Sequence, residues 1–404
     1  MINDYPAANG HLNSNADVLL SGIKNPMKIT FITTVRHNIG DDFVREGLKY
    51  ILSSALGKTK VQFADIHKHS PITSRHGFEW LRDNRVGRLV DYMLPLSLTA
   101  DRVLDADLIV QSGAPVFWHH DQDKFDVHCA DNEWCDPLIK RRFNLVKDKG
   151  VKFFNLAAGA CQQYHSDGSE FHSCKKCSSY INWIFQVADV TTLRDNLSRN
   201  ILDGYGLEAP VIPCSSLFAP ESLGVTQKEG EYVVLNYMQG GGHYAFQQGI
   251  DAEQHQDAFK ALYADLIKRE KVVLVCHDKK EEKWARSIAP DARIFSAGND
   301  YKKYVEFYSR AKYGIVNRVH AAFIMAALGK PSLVIGNDSR ARMVDQVGLE
   351  SLFINEATPD LLIDGAVRLS KMSCDYTDII DHIKNDALNC YMKTISLGIS
   401  SAHV

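Results

Sequence analysis

From Lys28 onward, short apolar runs alternate with amphipathic stretches: KITFITTV, then DDFVREGLKYILSSAL, KVQFADI, DLIVQSG, VKFFNLAAG, and VTTLRD followed by NLSRNILDGYG. Strands apolar on both faces and separated by helices are the mark of a parallel sheet covered by crossover helices. This first unit ends near Ser215. Residues 216–231, SLFAPESLGVTQKEGE, mix Pro, Gly and charge without a period and read as a linker. A second series follows: YVVLNYM, a helix over 252–269, VVLVCHD, a helix through Trp284, RIFSA, a helix over 301–311, YGIV, an alanine-rich helix and SLVIG. The expectation is an α/β chain with two Rossmann-like, doubly wound domains, 27–215 and 232–357, and a helical segment over 358–404 that folds back on the first. Such domains face each other across a cleft between the carboxyl ends of their strands, where open α/β sheets hold ligands.

Composition narrows this picture. The 404 residues, 45% hydrophobic and 24% charged, suffice for two ordinary cores. A net charge of -3 gives no global attraction to nucleic acid, so no nucleic-acid partner is expected, while a local basic cleft for a small anion stays open. Residues 1–26, rich in Asn and Ala, show no period and read as a loosely ordered extension; they lack the basic start and apolar centre of a secretory signal. No apolar run approaches the ~20 residues of a transmembrane helix. The expected location is cytoplasmic. Nine cysteines, an odd number spread along the chain, fit reduced thiols better than a disulfide framework.

Two loops carry candidate chemistry. In RHNIGDDF, after the first strand, Asn38 and Gly40 suit a tight turn and Asp41 suits an N-cap. This is either a well-capped turn or a place where backbone approaches a substrate, with Asp41 or Asp42 accepting hydrogen bonds from sugar hydroxyls. The spacings G-x-G-x-x-G and G-K-[ST] do not occur there. In YGIVNRVHAAFIMAALGKP, Arg318 and His320 fall at the amino end of the alanine-rich helix, where free amides and the helix dipole favour an anion. Arg318 adds a planar fork suited to phosphate or carboxylate. The competing readings are a surface ion pair for Arg318 and a turn position for His320.

The stretches NIGDDFVREGLKYIL, TLRDNLSRNILDGYG, VVLVCHDKKEEKWA and RVHAAFIMAALGKPSLVIGNDSR, in this order, make the chain resemble the polysaccharide pyruvyl transferase family from Lys28 to about Leu349. The resemblance implies a glycosyltransferase-B-like (GT-B-like) fold, with the first domain on the acceptor side and the second on the donor side. It also implies transfer of the enolpyruvyl unit of phosphoenolpyruvate onto sugar hydroxyls of a glycan, as a ketal, with no cofactor required for the chemistry. A lipid-linked acceptor would place the protein at the inner membrane face. On this reading Arg194, Arg318, His320, Arg340 and His277 hold the donor, Arg318 and His320 act in catalysis, and Asn38, Gly40, Asp41, Asp42 and Trp118 meet the acceptor. Arg194 has a competing salt bridge with Asp195, and His277 a competing role as a helix cap. Arg340 stands where the family commonly has Lys. QSGAPVFWHH departs from the family's glycine run, and Trp118, with His119 and His120, either stacks on a sugar face or packs in the core. A nucleotide-sugar glycosyltransferase and a catalytically silent sugar-binding relative are the alternatives.

One cluster lies outside that chemistry. ACQQYHSDGSEFHSCKKCSSY holds Cys161, Cys174 and Cys177, either free thiols or a structural zinc site completed by a histidine, Cys129 or Cys135.

Overall fold

The computed structural model describes residues 26–33, 38–67, 106–112, 115–119, 150–238, 249–372 and 376–400. Residues 1–25 of the expected extension, His120, Cys129, Cys135 and residues 401–404 lie outside them. The first domain contains β1 (Met27–Thr33), α1 (Ile39–Leu56), β2 (Val61–His67), β3 (Leu108–Ser112), β4 (Pro115–Phe117), β5 (Lys152–Ala160), α2 (Lys175–Val187), β6 (Val190–Leu193) and α3 (Asn196–Asp203). Its strands run in the order β2-β1-β3-β5-β4, with β6 also on β5, all parallel. Setting β4 aside, this is the doubly wound order 2-1-3-4-5, whose switch point lies between β1 and β3.

The segment expected as a linker contains a 3-10 turn and a short helix, α4 (Ala219–Leu223). Its buried Leu217, Phe218 and Ala219 join the core beside α1, and Ser215 Oγ donates to the Val44 carbonyl of that helix. Pro and Gly here punctuate packed structure: Pro220 opens the helix and Gly224 closes it in the left-handed region.

The second domain contains β7 (Tyr232–Leu235), α5 (Ala252–Leu266), β8 (Val272–Val275), α6 (Lys279–Ile288), β9 (Ile294–Phe295), α7 (Tyr301–Tyr308), β10 (Ala311–Val316), α8 (Val319–Ala327), β11 (Ser332–Gly336) and β12 (Glu350–Phe353). The parallel order β12-β11-β10-β7-β8-β9 is the 3-2-1-4-5-6 arrangement of Rossmann folds, with its switch point between β7 and β10. Two helices follow, α9 (Pro359–Met372) and α10 (Tyr376–Ser400). The latter returns to the first domain, where Lys152 Nζ donates to the carbonyls of Gly398 and Ile399 and the Tyr391 hydroxyl donates to Pro213.

One apolar cluster runs from Phe31 and Phe43 of the first domain through α8 to Val234 and Ile335 of the second, and takes in Tyr376 and Tyr391 of α10. A smaller cluster, with Ile109, Phe117, Phe153 and Tyr180, lies in the first domain alone. The domains are therefore held by shared core as well as by polar contacts. Among the described residues no helix is long and apolar enough to cross a membrane.

Candidate active site at the domain contact

The apolar β10 delivers Asn317 and then Arg318, which is the N-cap residue of α8 and makes no side-chain capping bond. The loop is braced from the second-domain switch point. Asn236, fully buried at the end of β7, accepts the amides of Asn317 (3.2 Å) and Arg318 (3.0 Å) and donates to the Val275 carbonyl (2.9 Å). Asn317 in turn accepts the amide of Met238 and donates to the Ile335 carbonyl. Three strands thereby fix one loop, and every polar atom spent on the brace is one not left unpaired in the interior.

The Arg318 guanidinium is paired within the second domain. Its Nε donates to Glu281 (2.6 Å) and its Nη2 to Asp278 (3.0 Å), both contributed by the β8–α6 connection and α6. Two carboxylates thus balance the Arg318 charge, exposed Asp278 and buried Glu281, so the pair is only partly the surface one of the competing reading. His277 lies behind it. The ring meets the Tyr308 hydroxyl at 2.7 Å and packs edge-on against Tyr304, and burial, aided by the Arg318 charge, pushes its pKa far below the ordinary value. His277 is held by second-domain side chains; Asp278, not His277, caps α6.

His320, one turn residue further on, does reach it. Its Nε2 is 3.4 Å from Nη1 of Arg194, the residue that follows β6 in the first domain. Nδ1 faces the start of α1: a Cβ on Gly40 would lie 2.5 Å from it, so only glycine leaves room for the ring. Arg194 is fully buried and seated by the same device, since a Cβ on Gly159 of β5 would come within 2.3 Å of its Nε. Gln346 of the second domain donates to the Arg194 carbonyl at 2.7 Å. The Asp195 carboxylate caps α3 and accepts the Ala160 amide. Arg340 completes the cationic group. Its Nε and Nη2 form a fork on Asp338 (2.9 and 2.6 Å), and the adjacent Ser339 exchanges two bonds with the Gln162 backbone of the first domain, both 2.9 Å. Burial works against the Arg340 charge, but Asp338, with a smaller contribution from Asp41 across the contact, holds its pKa above the usual value. Burial and then the charges of Arg194, Arg340 and Arg318 drive the His320 pKa far down, leaving a neutral imidazole. The amino ends of α1 and α8, two arginines and this neutral ring meet at one place, with Asp338 on Arg340 and Asp195 beside Arg194 offsetting part of the positive charge.

The acceptor-side residues divide. Asn38 is the N-cap of α1 through its own Oδ1 on the Gly40 amide (3.1 Å), the role expected of Asp41. Asp41 is instead buried in the first turn, near Arg340. Asp42 pairs with Arg45 at 2.8 Å, and burial, only partly opposed by that partner, pushes its pKa up to about 6. Trp118 is 5% exposed in the smaller first-domain core, so core packing, rather than stacking on a sugar, describes its ring. Cys161 is likewise no partner for Cys174 and Cys177; it is buried beside the arginines, with burial pushing its thiol up to about 12. Asn236, Glu281, Gly159 and Gln162 were not anticipated. For Asn236 a signal existed, a lone amide at the end of the apolar run YVVL.

Neutral buried histidines make stability pH-dependent. His320 and His277 are lowered well below 6.5 and His255 to about 4, in each case chiefly by burial. Below pH 6.5 the unfolded chain binds protons that these folded rings refuse, so stability falls on acidification, by up to about 1.4 kcal/mol per pH unit for each ring. Asp42, raised from 3.8 to about 6, works in the opposite sense, losing stability as pH rises through that window. Asp195, Glu281 and Asp345, raised by burial, act in the same sense as Asp42, so the histidine share is read from a variant: in urea unfolding, His320→Gln is expected to lose less stability than the parent between pH 7.5 and pH 5.5.

A family model described as Polysaccharide pyruvyl transferase matches residues 38–339, most of the chain. Among solved structures, UDP-GlcNAc 2-epimerase from Neisseria meningitidis, bound to UDP-GlcNAc, is similar with a TM-score of 0.55 at 11% identity, covering 92% of this chain and 99% of that one. UDP-GlcNAc 2-epimerase from Methanocaldococcus jannaschii gives 0.51 at 11% identity over 85% and 93%. The α,α-trehalose 6-phosphate synthase from Burkholderia multivorans gives 0.51 at 9% identity over 94% and 99%. At such identities the likeness shows the fold alone, the two facing domains of the GT-B type. No curated protein matches the chain by sequence.

Proposed function

The chain belongs to the polysaccharide pyruvyl transferase family, and from that premise we propose that it moves the enolpyruvyl unit of phosphoenolpyruvate onto hydroxyls of a sugar or glycan, forming a pyruvate ketal. The observation that carries this reading is the approach of His320 to Arg194 across the domain contact, with Arg340 close by. Phosphoenolpyruvate is a small, rigid anion with a phosphate and a carboxylate. It needs cations from more than one direction, and an acid.

The reaction balances as follows. A proton is delivered to the methylene carbon, making the methyl group and leaving the neighbouring carbon electron-poor. One sugar hydroxyl attacks that carbon and gives up its proton; the C–O bond to phosphate breaks; a second hydroxyl closes the ketal. Two hydroxyl protons are released, one replacing the proton placed on carbon and one carried off with phosphate. In this scheme Arg194 and Arg340 face the donor's negative groups. His320, neutral in the free protein, gains a proton when the dianion offsets the surrounding positive charge, and then supplies the acid. Asn38 and Gly40 hold the amino end of α1 against the ring, and Asp41 balances Arg340.

The test is incubation with phosphoenolpyruvate and candidate glycans, read by mass spectrometry for the ketal and by phosphate release. Stoichiometric ketal and phosphate are expected. Stabilisation by nucleotide sugars, with no response to phosphoenolpyruvate and no ketal on any glycan, would support a glycosyltransferase instead. A ligand at a hundred times its Kd stabilises the fold by about 2.7 kcal/mol, so a thermal shift registers donor binding even before the acceptor is known. Gly40→Ala is expected to displace the His320 ring and lower kcat by about 10²-fold, with urea unfolding run alongside to show that the variant remains folded at the assay temperature. Unchanged kcat in that variant would separate His320 from the chemistry.

A further inference from the structure

His119, just past the carboxyl end of β4, and Cys174 and Cys177, at the amino end of α2, place one ligand atom each within 4.8 Å of one another. Cys177 Sγ is 3.5 Å from His119 Nδ1, and Cys174, the N-cap residue, takes the Cys177 amide on its sulfur at 3.5 Å. Zinc–sulfur bonds of about 2.3 Å and zinc–nitrogen bonds of about 2.0 Å set tetrahedral neighbours roughly 3.5 to 3.8 Å apart. The spacing, 3.5 Å for one pair and within 4.8 Å for all, therefore admits an ion with shifts of about 1 Å or less. Cysteine sulfur and imidazole nitrogen are the donors zinc prefers, and Cys-x-x-Cys at a helix start lets both sulfurs face one point. Cys161 belongs to neither face of this group; it lies beside Arg340 and Arg194.

We propose that His119, Cys174 and Cys177 supply three of the four ligands of a structural zinc ion, with water in the fourth position. Binding releases the protons of the two thiols to solvent and joins the segment after β4 to α2. That segment leads to the domain contact: the His119 carbonyl accepts Gln162 Nε2 at 3.2 Å, and the Gln162 backbone is the partner of Ser339, next to Arg340. The ion is thus a tie for the first-domain side of the anion site and takes no part in the transfer.

The experiment is elemental analysis of full-length protein purified without a histidine tag, with cobalt substitution read by thiolate-to-metal absorption. About one zinc per chain is expected, together with the cobalt–thiolate signature. Cys177→Ser and His119→Ala are expected to lose at least tenfold in metal affinity, while Cys161→Ser retains it. Should the ligand variants fail to fold, the parent protein still decides: a chelator is expected to remove the zinc, expose two further thiols to alkylation and lower the melting temperature. Substoichiometric zinc after purification in zinc-supplemented buffer would overturn the proposal. So would a Cys174–Cys177 disulfide found by mass, chelator-insensitive thiols, or loss of metal in Cys161→Ser equal to that in Cys177→Ser.

Discussion

His320→Gln is expected to lower kcat by roughly 10²- to 10⁴-fold, the range spanned by a positioned general acid. Glutamine keeps a polar side chain of similar reach at the α8 amino end but cannot deliver a proton. Its effect should fall on kcat and kcat/KM together, with donor affinity changed far less, as for an interaction made chiefly in the transition state. The pH profile carries the same logic. In the free protein the ring is held neutral by burial and by Arg194, Arg340 and Arg318, so kcat/KM is expected to fall with rising pH from a point below 6.5. The bound dianion raises the ring's pKa, so kcat holds to higher pH than kcat/KM does. Full turnover in His320→Gln with both substrates saturating would remove the ring from the acid role.

The second large effect is expected at Arg194. It is fully buried, wedged against Gly159, and its carbonyl is tied to Gln346 of the second domain. Arg194→Ala removes a buried charge, leaves a void and frees Asp195 from a neighbouring cation, for a stability loss of about 3 to 5 kcal/mol. Arg194→Lys keeps the charge but replaces a planar fork with a point donor. That variant is expected to fold, with KM for phosphoenolpyruvate raised by about tenfold or more and kcat reduced less, as befits a group that binds the donor in ground and transition states alike. A KM equal to the parent's would place the donor's charges elsewhere.

The alternation of apolar strands with amphipathic helices is a local property, and it was legible. Runs such as KITFITT and VVLV became buried parallel strands, and the Arg318–His320 loop landed at the end of a strand as its position implied. The strands missed were β4 and β12: three residues of PVF and four of ESLF carry too little pattern to stand out. The site was legible in outline only. Arg194 and His320 each follow a strand, but their meeting depends on how two domains dock, 126 positions apart in sequence. The pairing of Arg318 with Asp278 and Glu281 is not legible at the loop itself, because those partners lie 40 and 37 residues earlier. Trp118 sits in a run that reads more readily as core than as a sugar-facing surface, and it lies in the smaller core. For the cysteines, spacing brought Cys174 and Cys177 together at one helix start, while the imidazole beside them comes from 58 residues upstream of Cys177, and Cys161 is buried near Arg340 and Arg194.

The most direct test of an anion site shared by the two domains is the titration of the His320 ring by NMR, assigned against His320→Gln, with and without saturating phosphoenolpyruvate. The expected result is a ring that stays neutral well below pH 6.5 in the free protein and takes up its proton at distinctly higher pH once the donor is bound. A ring whose titration is the same in both states, with donor demonstrably bound, would contradict the placement of the donor between Arg194 and His320.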